Sequence, residues 1–342
     1  MPGLGHFTDE AARADFLRAH DAIAARWPVP STELEIATTY GTTRVRRSGT
    51  GTGVPLLLLP GIGGNGLFWA PFVEELSRDR VVFASDVMGW AGRGEQTAPM
   101  LDEGDVAEWG AQLVEALGLD RVHLVGYSQG GWLAAVIATG RCDRLSGVSL
   151  LEPAPATLAR PSWKVLRKFL FAGIRPTRAK MEKFNRWLSP TIRLSEDEWA
   201  MTLATLKFRP AVPWPQPLSA ERFAALGAPL QVQFGADTVV HDAQHAARLV
   251  RERVPSAQIE IHPGVGHDML WAAPQQVIPR LLAFADESAA APRRATAEHS
   301  ASAERSASAE RSASAERSAS AERSASAERS AATERKGLSE RS

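Results

Sequence analysis

The amino-acid sequence predicts an α/β protein with a mostly parallel, twisted sheet covered by helices on both faces. Short apolar runs rich in Val, Leu and Ile recur between residues 33 and 285, and helical stretches separate most of them. Strands connected by helices in this order form parallel sheets, and sheets buried on both faces need strands that are apolar throughout. A segment at about 155–225 interrupts the alternation, and the last fifty residues depart from it altogether.

The strand and helix signals follow one another along the chain. The strand signals lie at residues 34–37, 55–59, 80–84, 121–125, 146–151, 230–234 and 258–262, and the helix signals at 69–77, 103–117, 129–139, 241–253 and 273–285. Residues 9–26 predict a further helix that ends at Trp27-Pro28 and packs against the domain. The interrupting segment has no clear strand and holds four of the ten tryptophans. We expect it to form a helical lid over the carboxyl edge of the sheet.

The last fifty residues have the composition of a different kind of polymer. The unit Ala-Ser-Ala-Glu-Arg-Ser occurs five times without change from Ala301 to Ser330, and Leu338 is the only apolar residue larger than Ala after Arg293. Such a segment cannot bury enough surface to offset the roughly 1–2 kcal/mol per residue that backbone ordering costs. We therefore expect one folded domain over residues 1–290 and a low-complexity, disordered tail over residues 291–342.

Composition and charge argue against several classes of protein. The chain has 39 Lys+Arg and 39 Asp+Glu, and this balance argues against bulk electrostatic capture by nucleic acid or by anionic membranes. A single cysteine, Cys142, excludes an intrachain disulfide and a multi-cysteine zinc site. No run of 18 apolar residues predicts a membrane span, and the first six residues have no features of a secretory signal. We expect a soluble, cytoplasmic protein that binds neither nucleic acid nor membrane, of unknown oligomeric state.

The strongest chemical signal is the hexapeptide Gly126-Tyr127-Ser128-Gln129-Gly130-Gly131. It follows an apolar strand and opens a helical stretch, which is the setting of a G-x-S-x-G nucleophile elbow. The sharp turn strains the backbone of Ser128, so the residues two before and two after it must be very small, as Gly126 and Gly130 are. The hydroxyl would stand at a helix N-terminus, which favours developing negative charge. The alternative is a glycine-rich connector with a solvated serine.

A serine nucleophile needs a base within hydrogen-bond reach. We predict His267 as this base, because it lies on a loop with Gly264 and Gly266, directly beyond the last predicted strand. The alternative is a histidine that only packs the loop. His241 and His245 have the i,i+4 spacing of a helix face, but no third metal ligand accompanies them, and a solvated face explains them better. The other histidines lie in strands or outside the core: His6, His20, His123, His262 and His299.

The base needs a carboxylate to orient it, and three acidic residues qualify. We predict Asp237, because it stands where the chain leaves the strand at 230–234. It would accept the imidazole N–H, fix the tautomer of the ring and stabilise the imidazolium. Two alternatives stay open: Asp242, on the following helix, and Glu152, at the end of the strand that follows the elbow helix.

Acyl transfer also needs amide donors for the tetrahedral oxyanion, and each donor contributes about 2.7–4 kcal/mol in the transition state. We predict the backbone amides of Gln129, directly after the nucleophile, and of Ile62. Ile62 lies in the glycine-rich loop Pro60-Gly61-Ile62-Gly63-Gly64. A phosphate-binding loop is the alternative, but this stretch has no Walker lysine and no G-x-G-x-x-G pattern.

These motifs, taken in order, resemble those of the α/β-hydrolase fold superfamily, especially bacterial single-chain hydrolases of the carboxylesterase type. The similarity covers about residues 10–286, and Pro60 stands where most relatives have a histidine. The quoted stretches are Trp27-Pro28-Val29-Pro30, Pro60-Gly61-Ile62-Gly63, Asp86 to Gly94, Gly126 to Trp132, Gly235-Ala236-Asp237 and Gly264 to His267. The resemblance implies Ser128, Asp237 and His267 as the catalytic residues and Ile62 and Gln129 as the oxyanion donors.

The sequence thus predicts a serine hydrolase that cleaves a small or medium-sized carboxylic ester through an acyl-enzyme on Ser128. The expected partner is a small, ester-like molecule, and the reaction requires no metal or organic cofactor. The same residues would serve a lactone, thioester or carbon–carbon bond hydrolase, or a cofactor-free haloperoxidase or perhydrolase. The alternative from another class is a protein of this fold that binds a ligand without turning it over.

Overall fold

The structure is a computed structural model that describes residues 3–140 and 142–291. The strands are β1 His6–Phe7, β2 Ser31–Thr38, β3 Gly41–Ser48, β4 Gly53–Leu59, β5 Arg80–Ser85, β6 Glu95–Gln96, β7 Val122–Tyr127, β8 Leu145–Leu151, β9 Phe208–Arg209, β10 Leu230–Gly235 and β11 Gln258–His262. The predicted disordered tail lies outside the described residues, except for Ala291.

The α-helices alternate with these strands over most of the domain. They are α1 Glu10–Ala24, α2 Val73–Leu76, α3 Glu103–Ala116, α4 Gln129–Ala138, α5 Trp163–Gly173, α6 Arg178–Leu188, α7 Glu196–Thr205, α8 Ala220–Ala224, α9 Ala243–Arg253, α10 Met269–Ala272 and α11 Pro274–Ala290. In the part of the chain that the structure describes, no helix is both long and apolar enough to cross a membrane.

The main sheet has the strand order β11-β10-β8-β7-β4-β5-β3-β2, and β6 pairs with β3. The strands from β11 to β5 run parallel, whereas β3 pairs antiparallel with β2 and β5. This arrangement confirms the predicted fold class. Because the central strands are parallel, their carboxyl ends lie along one edge of the sheet.

Two apolar layers bury the sheet on its two faces. On β4, Leu57 and Leu59 pack into a core that contains residues of α3, α4 and α9. Leu56 and Leu58 point the opposite way, into a core with residues of α2, α10 and α11. Successive strand residues face opposite sides, so the unbroken run of leucines serves both layers.

The strand β3 is absent from the sequence-based prediction. Its sequence, Gly-Thr-Thr-Arg-Val-Arg-Arg-Ser, contains a single large apolar residue, Val45. Gly41, Thr43 and Val45 are buried in alternation, and Ser48 at the end of the strand is buried as well. A search for continuous apolar runs therefore does not detect a strand of this kind near the edge of the sheet.

The interrupting segment is helical, as predicted, and contains α5 to α8. It also contributes the two-residue strand β9, which pairs antiparallel with β1 near the N-terminus. The predicted N-terminal helix is α1, and Phe16 on this helix is fully buried in a small core with Ala204 of α7. This segment, residues 155–225, is called the insert below.

Candidate active site

Ser128 occupies the sharp turn between β7 and α4. Its backbone has φ 53° and ψ −118°, a conformation that non-glycine residues rarely adopt. A Cβ on Gly126 would lie 2.1 Å from the carbonyl oxygen of Gly130, and one on Gly130 would lie 2.4 Å from that of Leu59. Both positions therefore require glycine, because neighbouring backbone atoms leave no room for a Cβ atom, as the elbow motif predicts.

His267 contacts the Ser128 hydroxyl across the carboxyl edge of the sheet. The distance between His267 Nε2 and Ser128 Oγ is 3.0 Å, which is within hydrogen-bond range. The Tyr127 hydroxyl donates a hydrogen bond of 2.5 Å to the His267 carbonyl oxygen, and the two rings lie 5.4 Å apart. The residue next to the serine therefore helps to fix the loop that carries the imidazole.

The carboxylate that contacts His267 belongs to Glu152, directly after β8. His267 Nδ1 donates to Glu152 Oε2 at 3.0 Å, so Ser128, His267 and Glu152 form one hydrogen-bonded chain. The same oxygen accepts from Thr238 Oγ1 at 2.8 Å, and Oε1 accepts from the Gly235 amide at 2.6 Å. Glu152 is fully buried and has a left-handed backbone with φ 45°.

Burial and hydrogen bonding act on Glu152 in opposite directions. Burial alone would raise the pKa of its carboxyl, but the hydrogen bond from His267 and the neighbouring His241 imidazole hold that pKa below its usual value. Nε2 of His241 lies 3.7 Å from Glu152 Oε1. The carboxylate is consequently ionised at neutral pH, and it can hold the His267 ring in one tautomer.

The loop after β4 lies against the elbow. A Cβ on Gly61 would stand 3.5 Å from Ser128 Cβ, and the Pro60 carbonyl oxygen lies 2.4 Å from where a Cβ on Gly130 would be. Within the described ranges, the backbone amides of Ile62 and Gln129 donate to no protein acceptor. Gln129 is the first residue of α4, where an amide has no partner within its own helix.

Residues 56–280 match the family model described as the alpha/beta hydrolase family. The chain belongs to the alpha/beta hydrolase family. The carboxylesterase YbfK of Bacillus subtilis is 24% identical over 280 residues, which cover 79% of this chain and 93% of that protein.

Solved structures share the fold of this hydrolase. The crystal structure of naproxen esterase (carboxylesterase NP) from Bacillus subtilis superposes with a TM-score of 0.73 at 21% identity. That comparison covers 80% of this chain and 98% of the esterase. The carboxylesterase CesB (YbfK) of the same organism gives the same TM-score at 22% identity, with equal coverage of both chains.

The position of Asp237 in this hydrolase corrects one sequence-based prediction. Asp237 follows β10 as expected, but its side chain is exposed and Glu152 occupies the place beside His267. The end of β10 and the loop after it contribute donors to that site instead, through the Gly235 amide and the Thr238 hydroxyl. Asp242, the other alternative, caps the N-terminus of α9 by accepting from the His245 amide.

His241 is a site residue that the sequence-based interpretation missed. It was assigned to a solvated helix face, yet α9 begins only at Ala243 and the His241 side chain is 11% exposed. Its ring packs edge-on against Phe234 at 5.4 Å. No sequence signal distinguishes it from His245, which is exposed on α9.

The other core histidines lie away from the serine. His123 is fully buried in β7 and bonds to Ser149, and burial lowers its pKa to about 3. His262 ends β11 and bonds to Gln233. Both are polar residues of the sheet interior.

The insert is attached at two points beside the hydrogen-bonded chain. Directly before its first residue, the Ala154 amide donates to the Ser128 carbonyl oxygen at 2.8 Å. After α6, the amide and hydroxyl of Thr191 donate to Asp268 Oδ2 at 2.7 and 2.5 Å. Because Asp268 follows His267 directly, these contacts attach the insert beside Ser128 at one point and beside His267 at the other.

A cavity of about 330 Å³ adjoins the carboxylate side of the site. It lies between the start of the insert and the loop after β10, and its lining includes Pro153, Leu158, Val165, Val240 and His241. Neither Ser128 nor His267 lines it. The cavity therefore neighbours Glu152 rather than the serine hydroxyl.

Proposed function

We propose that this protein is an esterase that hydrolyses small or medium-sized carboxylic esters through an acyl-enzyme on Ser128. The single observation that carries the proposal is the continuous hydrogen-bonded chain from Ser128 Oγ through the His267 ring to the buried Glu152 carboxylate. The strained backbone at Ser128 supports it, because this conformation places the hydroxyl at the N-terminus of α4, as in a nucleophile elbow. The carboxylesterase name of YbfK supports the choice of ester as substrate.

In the first step, Ser128 Oγ attacks the ester carbonyl carbon and its proton passes to His267 Nε2. Glu152 accepts the hydrogen bond from His267 Nδ1 and stabilises the imidazolium that forms when Nε2 gains the proton. The amides of Ile62 and Gln129 donate to the oxyanion as the carbonyl oxygen gains negative charge. The tetrahedral intermediate then collapses, and the alcohol leaves with the proton from His267.

In the second step, water hydrolyses the acyl-enzyme on Ser128. His267 Nε2 removes a proton from the water as its oxygen attacks the acyl carbon. The intermediate collapses, Ser128 recovers its proton from His267 and the carboxylic acid is released. The chain of proton transfers returns each side chain to its starting state.

Labelling with a fluorophosphonate probe tests the nucleophile. The wild-type protein should be labelled at a single serine, whereas the Ser128→Ala variant should not be labelled. Ser31→Ala, which changes a serine at the start of β2, is the matched control and should be labelled like the wild type. Labelling that survives Ser128→Ala, or a folded wild type that stays unlabelled, would contradict the proposal.

A p-nitrophenyl ester series of increasing acyl length tests the substrate class. We expect turnover that depends on chain length and is abolished in Ser128→Ala. If Ser128 is labelled but every ester is hydrolysed no faster than by Ser128→Ala, the nucleophile stands and the ester assignment is wrong.

A further inference from the structure

The first half of the insert carries a strong local excess of positive charge. Residues 160–186 contain nine Lys+Arg and one acidic residue, Glu182. The rest of the chain therefore has 30 of the 39 basic and 38 of the 39 acidic residues. The net charge of zero for the whole chain conceals this difference. Its distribution, rather than its sum, decides which surfaces the protein attracts.

The same segment exposes four large apolar side chains. Trp163, Leu170, Phe171 and Ile174 are 68, 50, 69 and 59% exposed. At about 100° per residue, these positions fall within roughly 100° of one another around the axis of α5. The opposite side of α5 is covered, because Val165 is buried and the Phe169 ring packs on Phe184 of α6 at 5.0 Å. The exposed side is thus an apolar stripe, which consists of these four residues.

Basic side chains on α5 and α6 accompany the apolar stripe and lack acidic partners, and by the same helical spacing Arg167 falls within the arc of the stripe. Among the described residues, the following exposed cations form no ion pair: Lys164, Arg167, Arg175, Lys183 and Arg186. By contrast, Arg178 is neutralised by Glu182 and Glu196. The surface formed by the apolar stripe and these five cations is called the basic apolar surface below.

We propose that the basic apolar surface binds the anionic surface of a lipid layer. A helix with exposed Trp, Phe and Leu and flanking Lys and Arg is the pattern of helices that lie in the membrane interface. There, the apolar side chains reach the acyl region and the cations contact the negatively charged headgroups. The proposal departs from the sequence-based expectation of no membrane partner, which rested on total charge and on the lack of a spanning segment.

Charge and hydropathy together favour lipid over other partners. A second copy of the chain, docked about a twofold axis, would place this surface against itself and bring like charges together. Nucleic acid would neutralise the cations but would leave the apolar stripe in water. An anionic lipid layer matches both parts of the surface.

The proposed contact would bring the lipid layer to the substrate side of the molecule. The chain is bonded to the Ser128 backbone directly before the insert, through Ala154, and to Asp268 from within the insert, through Thr191. Binding to lipid does not depend on the ester hydrolysis proposed above. The Ser128→Ala variant should bind as the wild type does, so the two proposals can fail separately.

Co-sedimentation of the full chain with vesicles tests the proposal. We expect binding to phosphatidylcholine vesicles that contain about 30% phosphatidylglycerol, and little binding to vesicles of phosphatidylcholine alone. Raising the salt concentration to about 1 M should weaken binding, because it shortens the screening length to about 3 Å. Equal binding to both kinds of vesicle, or no binding to either, would overturn the proposal.

Two double variants separate the contributions of charge and apolar contact. Arg167→Glu/Lys183→Glu should weaken binding to the anionic vesicles by more than about 20-fold, since each basic residue near the surface contributes about fivefold. Trp163→Ser/Phe171→Ser should weaken binding by at least about tenfold. Both pairs are exposed, so near-native unfolding temperatures are expected.

The matched control is Arg78→Glu/Arg251→Glu, which makes the same change in net charge on exposed residues outside the insert. It should bind anionic vesicles nearly as the wild type does. If the control loses as much affinity as Arg167→Glu/Lys183→Glu, general electrostatic attraction explains the binding and the basic apolar surface does not. Selective retention on an acidic protein or on DNA, without vesicle binding, would also overturn the proposal.

Discussion

The carboxyl ends of β8 and β10 lie side by side, and both carry an acidic residue. The strands pair in parallel, with Leu151 opposite Gln233, so Glu152 and Asp237 leave the sheet at the same edge. Yet Glu152 is fully buried against His267, whereas Asp237 is exposed. A position after a strand therefore brings an acidic residue to this edge of the sheet without deciding whether its side chain faces His267.

The difference arises from what each loop does with its backbone. Glu152 adopts a left-handed conformation, and its carboxylate accepts from the amide of Gly235, the last residue of β10, and from the hydroxyl of Thr238 in the following loop. That loop also places His241 beside the carboxylate. Glu152 after β8 therefore carries the negative charge, and the end of β10 with its following loop supplies the hydrogen-bond donors that hold it. These donors, rather than the position after a strand, determine which carboxylate contacts His267.

The largest expected effect is that of Glu152→Gln. The neutral amide can no longer hold the His267 tautomer or stabilise its imidazolium, so kcat should fall by about 10⁴, by analogy with the serine protease triad. The measurement is kcat on a p-nitrophenyl ester, with circular dichroism to check the fold. A loss of less than tenfold would remove Glu152 from the catalytic chain.

A smaller effect is expected from Thr238→Val, which removes the hydroxyl that bonds Glu152 Oε2. A hydrogen bond to a charged group contributes about 1.5–3 kcal/mol, so kcat should fall by about tenfold or somewhat more. Thr238→Ser retains the hydroxyl and is the matched control. Equal kcat values for the valine and serine variants would show that the loop after β10 does not hold the carboxylate.

The pH dependence of the free energy of unfolding tests the environment of His241, which lies beside the Glu152 carboxylate in the loop after β10. Burial lowers the pKa of His241, although the Glu152 carboxylate opposes the shift. Below pH ~6.5 the unfolded chain gains a proton at this residue that the folded chain does not, so the free energy of unfolding falls as pH falls. His241→Phe should make that slope shallower, by at most about 1.4 kcal/mol per pH unit. Chemical denaturation at several pH values measures it.

The control for this experiment is His245→Gln, because His245 is exposed on α9 four residues further along. We expect its stability to follow the wild-type pH curve. A slope in His241→Phe identical to that of the wild type would mean that His241 gains its proton equally in both states.

The sequence predicts the central strands because their burial on both faces makes them continuously apolar. Leu56 to Leu59 is such a run, and it lies at the middle of the sheet. The prediction fails at β3, where Thr43 and Val45 alternate with arginines and an apolar run is absent. The helices of the insert were expected, but their exposed apolar side chains were not. Periodicity shows which residues share a face without showing what covers that face.

The sequence predicts that Ser128 and His267 lie at the same edge of the sheet, because each follows a strand in a glycine-rich turn, and the two side chains are in contact there. It cannot choose between Glu152 and Asp237, since both follow neighbouring strands of one edge. The choice depends on the φ of 45° at Glu152 and on donors from a loop more than 80 residues away in sequence. Such long-range pairing leaves no local pattern, and His241 was missed for the same reason.

The variants Asp237→Asn and Glu152→Gln have the smallest and the largest expected effects on kcat, and comparing them tests whether Glu152 orients His267. Asp237→Asn should leave kcat within about twofold of the wild type, because substitutions of exposed side chains away from the site change little. Measured side by side on one ester, the ratio of kcat for Asp237→Asn to kcat for Glu152→Gln should therefore be about 10⁴. A ratio near one, or a greater loss in Asp237→Asn, would contradict the assignment of Glu152 as the residue that orients His267.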